Sequence, residues 1–244
     1  MNPFFYDLHV HSCLSPCGDD DMTPANIAGM AAVNGLNIVA LTDHNTSKNC
    51  PSFFFHAKRY GIVPVAGMEL TSSEDIHVIC LFPTLESAME FDGFVDSRRV
   101  KIANRKEIFG NQFIMDENDE VSGEEPDLLI NATTIDLETA YSEVIKRGGA
   151  CYPAHVDRES GGMIAVLGDL PDRPVYSCFE LNDKASHDEY LEKYPKLRDK
   201  RYIVSSDAHY LWKMSPAENT IVLDDEPYSS QKVRDSLIKF LRGE

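Results

Sequence analysis

Seven runs along the chain are nearly unbroken in apolar, β-branched and aromatic residues: FFYDLHV (4–10), NIVALTD (37–43), IVPVAGMEL (62–70), IHVICLF (76–82), GACYPAH (149–155), VYSCFEL (175–181) and YIVSSDAH (202–209). Continuous apolarity of this length predicts strands covered on both faces rather than strands with one wet side. Helix signals lie between several of them. Thr23 stands as an N-cap before Pro24 at the first helical position, with Ile27, Met30 and Ala31 spaced on one face and Gly35 near the end. Similar patterns predict helices over 52–60, 85–100 and 136–147. Strand alternating with helix implies a parallel sheet or barrel.

Two segments fall outside this rhythm. Residues 101–135 are acidic and turn-rich without clean periodicity, and are too short to bury a core of their own, so they read as a surface insertion or lid. Residues 229–241 read as a closing amphipathic helix, with Ser229 or Ser230 as cap and Val233, Leu237, Ile238 and Leu241 on one face. The 244 residues suffice for one large α/β domain spanning 1–244, and no second domain is required.

Charge and cysteine content narrow the function classes. Forty acidic against 23 basic residues give a net charge of −17, a field that repels the backbone of long DNA or RNA, while divalent cations bound locally would still let the chain hold a small anionic substrate. Six cysteines show no CxxC pair or repeated spacing, which argues against a zinc finger and a disulfide framework. The N-terminus lacks a secretory pattern and no apolar stretch reaches the roughly 18 residues a membrane span needs, so a cytoplasmic protein without a membrane partner is expected. Oligomeric state is not legible.

The chemistry collects where the strands end. His9 and His11 are two apart on a strand, so both imidazoles leave the same face. Asp43 and His44, Glu69, His155, and Asp207 and His209 follow at or just beyond the ends of later runs, while His77 heads its own run. In parallel α/β barrels the C-terminal strand ends meet at one mouth. Only His56 and His187 of the eight histidines stand apart from this pattern. A mixed set of imidazoles and carboxylates suits zinc, manganese or iron better than calcium.

The series DLHVHS, TDHN, GMEL followed by IHVI, PAHVDR and SSDAH resembles, in order, the motifs of the PHP family, named for polymerase and histidinol phosphatase. The resemblance implies a distorted β/α barrel of the TIM-like type with three divalent metal ions, hydrolysing a phosphoester in a small phosphorylated substrate, a metabolite or nucleotide, by a metal-bridging hydroxide. It also implies the ligand set: His9, His11, Glu69 and Asp207 on one metal, Glu69 bridging to a second held by His77 and His155, and His44 with His209 on a third. The family draws one further acidic or histidine ligand from the loop after the first strand. Here that loop reads SPCGDDDMTP instead of the commoner SDG pattern, and counting back from the helix start favours Asp19, with Asp20 as the rival. Glu69, Asp207 and Arg158 are the candidate catalytic residues. Arg158 is a candidate clamp for a substrate phosphate, with a surface ion pair as the alternative. Asp7 and Asp43 are expected to orient imidazoles from behind. Alternative activities compatible with the motifs are a nuclease or exonuclease acting on short oligonucleotides, a histidinol phosphatase, and a metal-binding regulatory module without turnover.

Overall fold

A computed structural model describes residues 1–244. The chain opens with β1 (Asn2–Val10), α1 (Pro24–Val33), β2 (Ile38–Leu41), α2 (Cys50–Arg59), β3 (Val63–Thr71), β4 (His77–Phe82) and α3 (Leu85–Asp96). The 101–135 segment holds the one-turn α4 (Lys106–Phe109) and a hairpin of β5 (Phe113–Met115) and β6 (Val121–Glu124). Then follow α5 (Leu137–Lys146), β7 (Ala150–Pro153), α6 (Met163–Leu167), β8 (Cys178–Leu181), α7 (His187–Lys193), β9 (Arg201–Val204), β10 (Thr220–Leu223) and α8 (Ser230–Leu241).

Six strands form one sheet in the order β10-β1-β2-β3-β4-β7, and β8 and β9 form a separate parallel pair. Beyond its paired strands the sheet curls toward that pair from both sides. Val156 N–H donates to the Glu180 carbonyl at 2.9 Å beside β8, and His11 N–H donates to the Ala208 carbonyl at 3.0 Å beyond β9. The result is a mixed α/β fold with a curled half-barrel sheet, consistent with the distorted barrel that the resemblance implies but short of a full TIM barrel, and its pairing is mixed where the strand-helix alternation implied parallel strands. The departure has a local cause. Only five residues, 72–76, join β3 to β4, with Asp75 in the left-handed region (φ 62°), and so short a link permits only antiparallel pairing. The pairings β4–β7 and β1–β10 are antiparallel as well.

Both faces of the sheet are covered. Helices α1, α2, α3 and α5 contribute to one apolar cluster with the outward residues of the strands. The inward residues, among them Tyr6, Leu8, Ile38, Val65, Ile79 and Tyr152, pack with Val233, Leu237, Ile238 and Leu241 of α8. Ser229 caps that helix, its Oγ accepting the Lys232 N–H at 3.0 Å. Helix α8 therefore closes the inside of the curl, and each such buried aliphatic side chain contributes about 1.5–3 kcal/mol. The polar strand ends are left to gather on the open side. No helix is long and apolar enough to cross a membrane.

Candidate metal centre

Glu69, near the end of β3 and 1% exposed, is the hub of that gathering. Its Oε1 lies 2.8 Å from Nδ1 of His77 and 2.9 Å from Nε2 of His155. Its Oε2 lies 2.9 Å from Nδ1 of His44 and 3.3 Å from Nε2 of His11, and Nε2 of His9 is 3.4 Å from Oε1. Asp207 adds Oδ1 at 3.3 Å from His9 and 3.1 Å from His11. His209 stacks on His11 with ring centroids 4.1 Å apart. Most of these residues reach the cluster at or just beyond the ends of their strands, His77 from the start of β4, and two do so with unusual backbones: His155 (φ 25°) and Asp207 (φ 49°) both hold positive φ, conformations that surrounding structure must enforce. Gly161, itself at φ 67°, lies flat against the His77 ring, where an added Cβ would meet ring atoms at 2.7–2.9 Å.

Three groups of donors lie close enough to hold cations: His9, His11, Glu69 and Asp207; His44, Glu69 and His77; and His11, His44 and His209. Two further observations test whether they fit metal ions. The tautomers are set from behind, since Nδ1–H of His9 donates to Glu180 at 2.8 Å and Nδ1–H of His11 donates to the Ser15 hydroxyl at 2.9 Å. Both Nε2 atoms then face the cluster, 3.1 Å apart. In the metal-free chain the proton on His11 bridges them, and a cation taking its place with two bonds of about 2.0–2.1 Å at a right angle would hold the two nitrogens about 3 Å apart. In addition, Nδ1 of His44, which faces Glu69, is buried without a hydrogen-bond partner. Buried polar atoms are rarely left so, and a missing ligand explains this one. The residues fit.

Electrostatics point the same way. Burial opposes ionisation of Glu69, but the charges of His77, His9 and His44 outweigh it and hold the carboxyl well below its ordinary range. Burial likewise opposes charge on His11, yet its hydrogen bonds to Asp207 and Glu69 push it up to about 9. Burial, aided by the charge on His11, pulls His44 down to about 4 and His209 down to about 3. The cluster thus holds carboxylates ready for cations beside imidazoles of which some are already neutral.

The residues expected from the sequence are placed as follows. His9, His11, His44, Glu69, His77, His155, Asp207 and His209 come together. His155, although its Nε2 stands 2.9 Å from Glu69, falls in none of the three donor groups, and neither does Asp19. Its Oδ1 accepts the Asp21 N–H at 2.9 Å, which ties the carboxylate to its own turn, and Asp20 is turned outward to Asn111. Arg158, half exposed, pairs its guanidinium with Asp207 at the mouth. Asp43 acts on His11 only through Ser15, whose hydroxyl donates to it at 2.7 Å. Asp7 touches no imidazole and instead accepts from Ser206 and Ser215. The residue that does orient His9 is Glu180, in β8. Its only sequence signal was a carboxylate inside an apolar run.

Beside the cluster a cavity of about 190 Å³ is walled by His77, His155, Arg158, Ser160 and Ile130, the last from the 101–135 segment. An adjoining groove of about 440 Å³ runs past Arg158, Asp207 and His209 to Tyr210 and Lys213.

The model of the PHP domain matches residues 7–204, and the chain belongs to this family of metal-dependent hydrolases. The match stops just short of Asp207 and His209, which the fold brings back to the first strand. A 5′-3′ exoribonuclease of Haemophilus influenzae is 33% identical over 79 residues, 31% of this chain and 28% of that protein. The lesion-specific endonuclease Q of Pyrococcus furiosus superposes with a TM-score of 0.61 at 18% identity, covering 99% of this chain and 56% of that one. A protein of Bifidobacterium adolescentis assigned as a metal-dependent phosphoesterase superposes with a TM-score of 0.54 at 18% identity, covering 95% of both chains. The chain thus spans well under two thirds of the exoribonuclease and of endonuclease Q.

One expectation is corrected by these comparisons. Endonuclease Q has been seen with a 27-mer duplex bearing an abasic lesion at its active site. A net charge of −17 therefore gives no ground for restricting the substrate to a small molecule or excluding long nucleic acid. Net charge describes the whole surface, whereas the sign at a site is set by local cations such as Arg158, Lys213 and bound metals.

Proposed function

We propose that the chain hydrolyses a phosphoester in a substrate that carries a nucleobase, either a nucleotide or a nucleic-acid strand. The convergence of five imidazoles on Glu69 is the observation that carries the hydrolytic part of this reading. His9, His11, His44, Glu69, His77, His155, Asp207 and His209 would hold zinc, manganese or iron, which would supply Lewis acidity, lowering the pKa of water to roughly 7 and neutralising phosphate oxygens.

The chain's own groups do the rest. Glu180 and Ser15 hold the imidazoles of His9 and His11 in the tautomer that turns Nε2 inward. Arg158 presents a planar fork to a phosphate entering the mouth, once Asp207 is occupied by a cation instead of by the guanidinium. Ile130 forms one wall, which makes the 101–135 segment the part positioned to cover a bound substrate.

The nucleobase part rests on the groove. Tyr210 lines the groove, and Trp212, 71% exposed, lies beside it with ring centroids 4.6 Å apart, so both offer accessible aromatic faces. Aromatic faces flanked by Lys213 and Arg158, beside a phosphoester site, suit a base and its backbone. The exoribonuclease relative and the endonuclease Q fold agree with this reading.

The test is hydrolysis by metal-loaded protein of a 5′-phosphorylated single strand, a duplex with an abasic lesion, a nucleoside bisphosphate and a sugar phosphate, with chelator-treated protein as control. Metal-dependent turnover that prefers any of the first three supports the reading. Preference for the sugar phosphate removes the nucleobase part, and turnover unaffected by chelation removes the hydrolytic part.

A further inference from the structure

The 101–135 segment reads from its sequence as a surface insertion or lid, yet its later half is tied down from several sides. Buried Gln112 donates through Nε2 to the Glu125 and Asp127 carbonyls at 2.8 and 3.0 Å, and its Oε1 accepts the Leu129 N–H at 2.9 Å. Arg99, just before the segment, pairs with buried Glu125 at 2.9 Å. Thr133 N–H donates to the Thr71 carbonyl at 2.9 Å, at the end of β3.

Asn45, next to His44, links this segment to the metal centre. It is 1% exposed and holds φ at 52°, a left-handed conformation that asparagine tolerates better than most side chains. Its N–H donates to the Glu69 carbonyl at 2.9 Å, and its Oδ1 accepts the Thr71 N–H at 2.9 Å. Its Nδ2 donates to the carbonyls of Leu129 and Asn131, at 2.6 and 2.9 Å. One amide thus grips the residues on both sides of Ile130, the single apolar side chain lining the cavity beside the cluster. That cavity and the adjoining groove share Arg158, Asp207 and His209. Ile130 belongs only to the cavity, and Tyr210 and Lys213 only to the groove. A phosphate held at Arg158 therefore has an aromatic face to one side and an aliphatic wall to the other. The wall offers no hydrogen bond to replace water around a further charged group, but loses nothing against the carbon face of a sugar.

We propose that Ile130 is a specificity-determining side chain, fixed in place by Asn45 as a positioning residue, and that it receives the sugar on the side of the scissile phosphate away from Tyr210. The proposal rests on the phosphoester reading above. The wall is preformed, so no closure of the 101–135 segment is needed to make it.

Exchange and kinetics of the metal-loaded full chain test the two roles separately. Asn45→Gly keeps the left-handed backbone and removes the amide, and Asn45→Asp keeps the acceptor for Thr71 and removes the donors. Both are expected to speed hydrogen–deuterium exchange across 128–133 about tenfold. Ile130→Ala is expected to raise KM for a dinucleoside monophosphate about tenfold with little change in kcat, the split left by a lost apolar contact, and to leave inhibition by inorganic phosphate as in the wild type. The Asn45 variants are expected to raise the same KM. Unchanged exchange in both Asn45 variants overturns the role of Asn45. An unchanged KM in Ile130→Ala, or an equal weakening of inorganic phosphate, overturns the role of Ile130. A wild type that hydrolyses no phosphoester when metal-loaded overturns the functional reading and the role of Ile130 with it, while the exchange result still decides the role of Asn45.

Discussion

Oε1 of Glu180 stands 2.8 Å from Nδ1 of His9 and also accepts the backbone N–H of His155 at 3.2 Å. One buried carboxylate thus aligns a histidine from the first strand with another from the far side of the sheet. Replacing Glu180 by Gln keeps the shape and removes the charge that favours the Nδ1–H tautomer. We expect metal affinity to fall about 10–100-fold, as for other outer partners of ligating imidazoles, with a far-ultraviolet spectrum unchanged. Unchanged affinity in a competition titration against a chelator contradicts the role given to Glu180.

The protons on the cluster set a pH dependence. Burial opposes charge on His11, but Asp207 and Glu69 push it up to about 9, so near neutrality the metal-free chain carries a proton that an incoming cation must displace. Metal affinity should therefore rise with pH up to about 9, with proton release visible when calorimetric titrations are run in buffers of different ionisation enthalpy. The same shift has a stability consequence of fixed sign. A folded-state value above the unfolded 6.5 stabilises the metal-free protein fully below 6.5, and that contribution is lost as pH rises through 9. The metal-free Tm should fall across this window while that of the loaded protein holds. A flat affinity profile contradicts the protonated cluster.

Arg158 pairs with Asp207 at the mouth, yet none of the three donor groups depends on it. Arg158→Ala should leave metal content intact and lower kcat/KM for a phosphoester by about 10–100-fold, the range of a lost hydrogen bond to a charged group. Arg158→Lys should recover only part, because a point charge cannot form the two parallel bonds. Full activity in the alanine variant returns Arg158 to a surface ion pair.

Stacking on Tyr210 and Trp212 predicts a substrate-dependent effect. Each alanine variant should weaken binding of a single-stranded oligonucleotide by about 5–100-fold, corresponding to the roughly 1–3 kcal/mol of a stacked base, while hydrolysis of an ester without a base is unaltered. Equal losses on both substrates would show that the aromatic pair supports the loop instead of contacting a base.

The sequence carried much of this site because the ligand-type residues sit at strand ends, where spacing in the chain translates directly into position. His9, in β1, and His11, one residue past its end, needed little more than strand periodicity to be placed together. Loop residues were harder. Asp19 is turned back on its own loop, whose course depends on how closely Gly18 packs under the Ser12 carbonyl, a tertiary contact without a sequence period. Glu180 was hidden because a single carboxylate in VYSCFEL has no spaced partner. In the fold, the runs that became β3 and β4 were legible as strands, but alternation suggested parallel pairing that the short 72–76 link forbids. Strand β10, four residues with Ile221 and Leu223 facing inward, was too brief to stand out from its polar surroundings.

The central claim is that the buried imidazoles and carboxylates around Glu69 exist to bind metal. Its most direct test is the number of metal equivalents retained per chain after gel filtration, measured by elemental analysis for the wild type and for His9→Ala, His77→Ala and His209→Ala. The account predicts more than one equivalent in the wild type and a loss in each variant, with the fold preserved by circular dichroism. A wild-type chain that retains no metal, or three variants that retain as much as it does, contradicts the account.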